Sequence, residues 1–296
     1  MEYILEINQA TKTYGNTKAL DDVSIQVPKG TIHGLIGENG AGKTTLIKAL
    51  VGIHMLDEGG ILFKGEGIYE NNAIKQVIGY VADQNQYFKS YKIKQLIAFY
   101  SSIYPCFSEE KFHRYNEFMN LGLNKRVRQL SKGMKMRLSI MLSLAMNPEL
   151  IVLDEPTSGL DVIAKRKVLE WIVEEVEARQ MTVVIASHHL SELERLCDSL
   201  TIIEKGEVTY QASVEDLKDN VCKLQVVFEA ELSEELEVWE GIQTVERIGS
   251  VYYIVIIARS EAIIKRIEGL GTKLIERIPL SLEEAFICMN QKGEKA

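Results

Sequence analysis

Cysteine is scarce in this chain. Cys106, Cys197, Cys222 and Cys288 stand far apart, with neither the spacing of a metal site nor that of a disulfide framework. Reduced thiols in a cytoplasmic protein are the expectation. Long apolar runs are missing too. The longest, such as Tyr252 to Ala258, fall well below the about 18 residues that a membrane span requires. The start Met1-Glu2-Tyr3 has no positive charge and no apolar stretch behind it, so no signal peptide is expected. Positive net charge is also lacking. The formal balance is −8, which disfavours nucleic acid as the main partner. Internal repeats and low-complexity tracts are absent. Any role at a membrane therefore falls to a partner chain.

What is present is enough apolar material for a full-sized core, 46% of 296 residues, and a length that suggests two domains. Ile4 to Ile7, Val23 to Val27 and Ile32 to Ile36 read as strands. Gly37 to Thr45 is glycine-rich, and a helical stretch follows it to about Gly52. Residues 86–147 change character, with Lys, Tyr, Leu and Met at helical spacing. From Leu150 strand and helix alternate again: Ile151 to Leu153, a helix over Val162 to Arg179, and a strand over Thr182 to Ala186. That alternation predicts an α/β core with a largely parallel sheet. A boundary is expected near residue 212, which divides the chain into 1–212, with an inserted helical part at 86–147, and a small domain at 213–296. In the latter, Leu224 to Phe228 and Tyr252 to Ile257 read as strands, and Glu261 to Leu270 and Ser281 to Met289 as helices. The last residues, from Gln291, read as a loose tail.

Two motifs carry chemistry. Gly37-Glu38-Asn39-Gly40-Ala41-Gly42-Lys43-Thr44 fits the phosphate-binding pattern G-x-x-x-x-G-K-[ST], with Thr45 next to it. Its glycines let backbone N–H groups approach phosphates. Lys43 supplies charge for the outer phosphates, the Thr44 hydroxyl is a ligand for Mg²⁺, and the helix that follows points its positive end at the anion. The second motif is an apolar strand ending in Asp154 and Glu155. Asp154 is expected to hold Mg²⁺, and Glu155 to orient or deprotonate the attacking water.

With these motifs and Leu130-Ser131-Lys132-Gly133-Met134, the chain resembles the nucleotide-binding subunits of ATP-binding cassette (ABC) transporters, in particular those of bacterial exporters. The pentapeptide is similar to the family's signature. Ser158-Gly159-Leu160-Asp161 resembles the loop that communicates between two cassettes, His188 the switch histidine, and Tyr14 the aromatic residue that lies against adenine. The resemblance covers roughly residues 3–210. It implies a phosphate-loop ATPase core with an antiparallel β subdomain and an inserted helical subdomain, followed by the small α+β domain. It implies ATP and Mg²⁺ as cofactors, and a second cassette, identical or different, whose Ser131 and Gly133 complete each site, with Asp161 contributing. It also implies a polytopic membrane permease as partner, a place on the inner face of the membrane, and no nucleic acid.

Three departures stand out. Lys132 replaces the usual glycine, Met134 the usual glutamine, and Asp83 takes the place of a glutamine with access to the metal, with Gln84 and Gln86 as the alternatives. Two other functions compete: a soluble cassette acting on ribosomes or DNA, and a nucleotide sensor. Only one cassette is present and no sustained heptad run interrupts it, against the first. Lys43, Asp154, Glu155 and His188 are all present, against the second.

Overall fold

The computed structural model describes residues 2–84, 89–188, 193–216, 221–229, 236–257, 261–279, 281 and 284. Gln86, Tyr87, Phe88, His189, nearly all of the helix expected after Ser281 and the tail expected from Gln291 lie outside the described residues. The chain forms two compact units: Met1–His189 with Leu196–Gln211, and Leu190–Arg195 with Ala212–Ala296.

In the first unit, β1 (Tyr3–Tyr14) and β2 (Thr17–Pro28) pair antiparallel, and β4 (Glu58–Phe63) and β5 (Glu66–Gly67) extend them in the order β2-β1-β4-β5. Buried Val23, Ile25 and Val27 alternate with exposed Ser24 and Gln26, the period-two pattern of a sheet with one wet face. Both long strands run well past the apolar cores legible in the sequence. Their outer ends are polar and the β1–β2 register shifts four times, so no simple alternation marks them.

The second sheet has the order β10-β9-β3-β8-β7-β6. Its strands are β3 (Ile32–Ile36), β6 (Ile78–Val81), β7 (Leu150–Asp154), β8 (Thr182–Ser187), β9 (Ser199–Glu204) and β10 (Glu207–Ser213). The pairs β3–β8, β3–β9, β7–β8 and β6–β7 are all parallel. Every residue of β3, β7 and β8 is buried, which is why these strands read as unbroken apolar runs. Helix α1 (Lys43–Leu50) follows β3, and the single turn α2 (Asn72–Lys75) precedes β6.

Between β6 and β7 lie α3 (Ile93–Ile103), α4 (Glu109–Met119) and α5 (Lys132–Ala145); α6 (Val162–Arg179) follows β7. Ser108 caps α4 by accepting from the Lys111 amide at 3.1 Å. A buried charge cluster fastens α4 to α6. The Glu175 carboxylate takes the ammonium of Lys111, accepts from the Tyr115 hydroxyl at 2.9 Å and pairs with Arg179 at 3.3 Å. Burial pushes the Glu175 carboxyl up, but the hydrogen bond and charge of Lys111 outweigh it and hold the group below its ordinary range. Removing one partner from such a cluster leaves a buried charge without its counter-ion, so these residues hold the inserted helices to the core as a set.

The second unit is an antiparallel sheet in the order β12-β13-β11-β14, with a helix before its last strand. The strands are β11 (Val221–Phe228), β12 (Ile242–Ile248), β13 (Val251–Ile257) and β14 (Thr272–Ile278), and the helix is α7 (Glu261–Glu268). Leu224, Val226, Trp239, Ile254, Ile256 and Ile267 form its core. The helix ends two residues before the expected Leu270, at the turn that reaches Gly271 with φ +81°.

One polar group in the first core has a thermodynamic signature. His33 on β3 is 1% exposed, with its ring nitrogens 2.8 Å from the Ser199 hydroxyl and 2.9 Å from that of Thr201. Burial lowers its pKa from 6.5 to about 4. The unfolded chain therefore takes up this proton first as the pH falls. The stability is fully present above about pH 6.5 and declines towards pH 4. Urea unfolding at about pH 7.5 and about pH 5 should show a loss of about 2 kcal/mol that is absent from a His33→Leu variant. Equal losses in both proteins would remove His33 as the source.

Candidate functional site

The phosphate loop leaves the C-terminal end of β3 and enters α1. Gly42 is the N-cap of α1 at φ +111°, a left-handed conformation suited to glycine. A Cβ at Gly42 would also lie 2.5 Å from the carbonyl oxygen of Ala19, so both backbone angle and space demand glycine. The first turn of α1 has no acidic residue, which leaves its amide end free to face an anion. Lys43 is 6% exposed and curls back so that its ammonium donates to the carbonyls of Gly37 at 2.6 Å and Glu38 at 3.0 Å. Burial lowers the Lys43 pKa, while the charges of Glu155 and Asp154 oppose the shift.

Strand β7 delivers the acids. The Thr44 hydroxyl donates to Asp154 Oδ2 at 3.2 Å. Burial raises the Asp154 pKa against that hydrogen bond, and the negative charges of Glu155 and Asp83 add to the rise. Glu155 sits just past the strand at φ +50°, its amide bonded to the carbonyl of Ala186 at 3.0 Å. Its Oε1 accepts from the His188 backbone amide at 3.1 Å and lies 2.7 Å from His188 Nδ1. His188 directly follows β8, the strand that lies between β3 and β7.

Apart from His188, which reaches it only through Glu155, these groups meet in a cleft of about 250 Å³ lined by Ala19, Glu38, Asn39, Gly40, Gly42, Lys43, Thr44, Thr45, Asp83, Asp154 and Glu155. Gly37 and Ala41 belong to the loop but not to this lining. Gly37 packs on the Ile203 carbonyl, and Ala41 is buried. Tyr14 ends β1, is 46% exposed and meets the His54 ring edge-on with centroids 6.0 Å apart. Ala19 is a lining residue that no motif flagged; its backbone is placed there by the close approach to Gly42.

A second cluster gathers the remaining expected residues. Ser131 caps α5 by accepting from the Met134 amide at 3.2 Å. Asp161 caps α6 by accepting from the Ala164 amide at 2.9 Å, and pairs with Arg137 on α5. Gly133 lies against the backbone of Gly159, where a Cβ would be 2.2 Å from the carbonyl oxygen. None of Ser131, Gly133 and Asp161 lines the cleft of its own chain.

The family profile described as ABC transporter matches residues 20–158, a span from within β2 to the loop after β7. The ABC transporter ATP-binding protein YtrB of Bacillus subtilis is 35% identical over 290 residues, covering 96% of this chain and 97% of its own. This chain belongs to the ABC transporter family. A lantibiotic transport ATP-binding protein, SrtF of Streptococcus pyogenes, is 34% identical over 230 residues, 76% of this chain and 99% of its own. A solved structure of the ATP-binding subunit of an ABC transporter superposes with a TM-score of 0.67 at 26% identity, over 73% of this chain and 92% of the other. The protein is thus the ATP-binding and ATP-hydrolysing subunit of an ABC transporter, and its α/β cassette is the fold seen in that structure.

The contact at Gly133 is directly testable. Helical φ alone would favour alanine there, but a methyl group cannot sit 2.2 Å from a carbonyl oxygen. Gly133→Ala should cost about 1–3 kcal/mol and lower the melting temperature. An unchanged or higher melting point would show that the two backbones part without cost.

Proposed function

We propose that hydrolysis occurs in the cleft between the phosphate loop and the end of β7. The observation that carries this reading is the convergence of Lys43, Thr44, Asp154, Glu155 and His188 from three parallel strands. Lys43 and the amide end of α1 bind the phosphates of ATP. The attacking water lies on Glu155. Because Oε1 is held by His188, Oε2 is the oxygen that takes the water proton. His188 keeps that carboxylate in place, and ADP and phosphate leave.

Among the described residues no three His, Cys, Asp or Glu side chains gather as a metal-binding group. The donors are instead a hydroxyl on Thr44 and carboxylates on Asp154 and Asp83, a partial oxygen set that suits a small hard cation shared with a phosphate. Mg²⁺ fits that description. When bound it supplies charge stabilisation to the phosphates; Thr44 and Asp154 would hold it.

The site is shared between two cassettes. Ser131, Gly133 and Asp161 do not reach the cleft of their own chain, and a second cassette that turns its α5 N-terminus towards the nucleotide supplies them. Tyr14, exposed at the tip of the β1–β2 hairpin, takes the adenine. Residues 1–212 form the cassette and 213–296 an accessory domain that tunes it.

The transported substance crosses through a separate polytopic permease. No helix among the described residues is long and apolar enough to cross a membrane, and the named relatives serve transport. The cassette works at the inner face of the membrane, and the direction of transport is outward, in keeping with the resemblance of its motifs to those of bacterial exporters. The docking surface for a cytoplasmic helix of the permease is the aromatic group at α3, where the Tyr100 ring lies 5.3 Å from Tyr104 and 5.9 Å from Phe107. Phe99 and Ile103 stand exposed beside it.

Glu155→Gln separates binding from chemistry. Turnover should fall by about 10²-fold or more, with the ATP dissociation constant within about threefold of wild type. Phosphate release at wild-type rate would remove Glu155 from the mechanism. The same variant tests assembly: light scattering should show the mass doubling when ATP and Mg²⁺ are added. If neither mass nor hydrodynamic radius responds to nucleotide, the shared site is wrong.

A further inference from the structure

Carboxylates outnumber cations in the cleft. Asp83, Asp154, Glu155 and Glu38 line it, and among the described residues Lys43 is its one lysine or arginine. A polyphosphate has to enter this field. Asp83 is the member with the least local support. Its Oδ1 is shut off from solvent and makes no hydrogen bond of good geometry among the described residues. Yet its charge is felt deeper in, since it contributes to the raised pKa of Asp154.

The counter-ion of Asp83 comes from outside the lining. Lys132 Nζ lies 2.8 Å from Asp83 Oδ1 and donates to the Ser158 hydroxyl at 2.9 Å. The ammonium therefore joins three segments: the stretch after β6, the first residue of α5 and the loop between β7 and α6. It is held there at both flanks. Ser131 caps the helix on one side, and on the other the Gly133–Gly159 contact presses the start of α5 onto the same loop.

We propose that Lys132 is a positioning residue for the nucleotide reaction, which neutralises Asp83 at the cleft and so sets how well the cleft accepts a nucleotide that brings no divalent cation. The side chain acts through Asp83 and does not line the cleft. Without it, the Asp83 carboxylate adds one uncompensated negative charge facing the phosphates. A divalent cation bound with the nucleotide offsets that charge. The penalty is therefore large for free ATP and small for the magnesium complex. The Ser158 hydroxyl, which accepts from Lys132 Nζ, aims the ammonium.

The proposal rests on the reading of the cleft as the nucleotide site, and the experiment separates the two. ATP affinity of the full chain is measured by calorimetry, once with EDTA and once with excess MgCl₂. Lys132→Met keeps the stem and removes the charge. It should weaken ATP binding about 5- to 10-fold in EDTA and less than about twofold with MgCl₂. Lys132→Arg should restore wild-type affinity in both. In an Asp83→Asn background the Lys132→Met effect should vanish, because the charge it answers is gone. Equal losses with and without MgCl₂ would overturn the proposal, since a merely structural role or a direct phosphate contact moves both. An effect undiminished in the Asp83→Asn background would overturn it as well. Lys43→Ala tests the cleft itself: unchanged ATP binding in that variant would sink the site reading, whatever the Lys132 series shows.

Discussion

The chemistry of this protein depends on the parallelism of one sheet. Parallel strands end at the same edge, so the segments that leave β3, β6, β7 and β8 are neighbours in space although the chain separates them widely. That edge receives the phosphate loop from β3, Asp83 after β6, Asp154 and Glu155 from β7, and His188 from β8. An antiparallel arrangement would scatter these groups over two edges. The fully buried strands give the edge rigidity, and rigidity is what holds the Thr44–Asp154 and Glu155–His188 pairs at hydrogen-bond distance.

The inserted helices are fixed to this frame by two kinds of tie. Far from the cleft, Glu175 gathers Lys111, Tyr115 and Arg179 into a desolvated cluster. Near the cleft, the ties are lighter and more exposed: Lys132 with Asp83 and Ser158, Arg137 with Asp161. Partly exposed pairs of this kind add little to stability as ties, whereas loss of one partner from the buried cluster leaves an uncompensated charge. The helical segment is therefore anchored firmly at one end and loosely at the end nearer the cleft.

Much of this was legible locally. The phosphate loop, β3, α6 and the acidic end of β7 each declare themselves within a few residues, through glycine spacing, burial on both faces or a cap such as Asp161. Groups defined by distant partners were not legible. His33 is an ordinary residue until β9 brings Ser199 and Thr201 to its ring. Lys132 and Asp83 read as two separate departures from a motif, and only the fold makes them one ion pair. Strands β12 and β14 escaped because half or more of their positions carry polar side chains, as in Thr272-Lys273-Leu274-Ile275-Glu276-Arg277-Ile278. The ends of β1 and β2 escaped through their register shifts.

Glu155 occupies left-handed backbone space at φ +50°, which suits glycine or asparagine and costs a glutamate on the order of 1 kcal/mol. The protein thus forgoes some thermal robustness at the residue proposed to take the water proton. Under that reading, selection or engineering for heat resistance alone would drift towards Asn or Gly at this residue and trade turnover for stability. Any stabilised version of this chain should therefore be chosen on turnover first and melting point second.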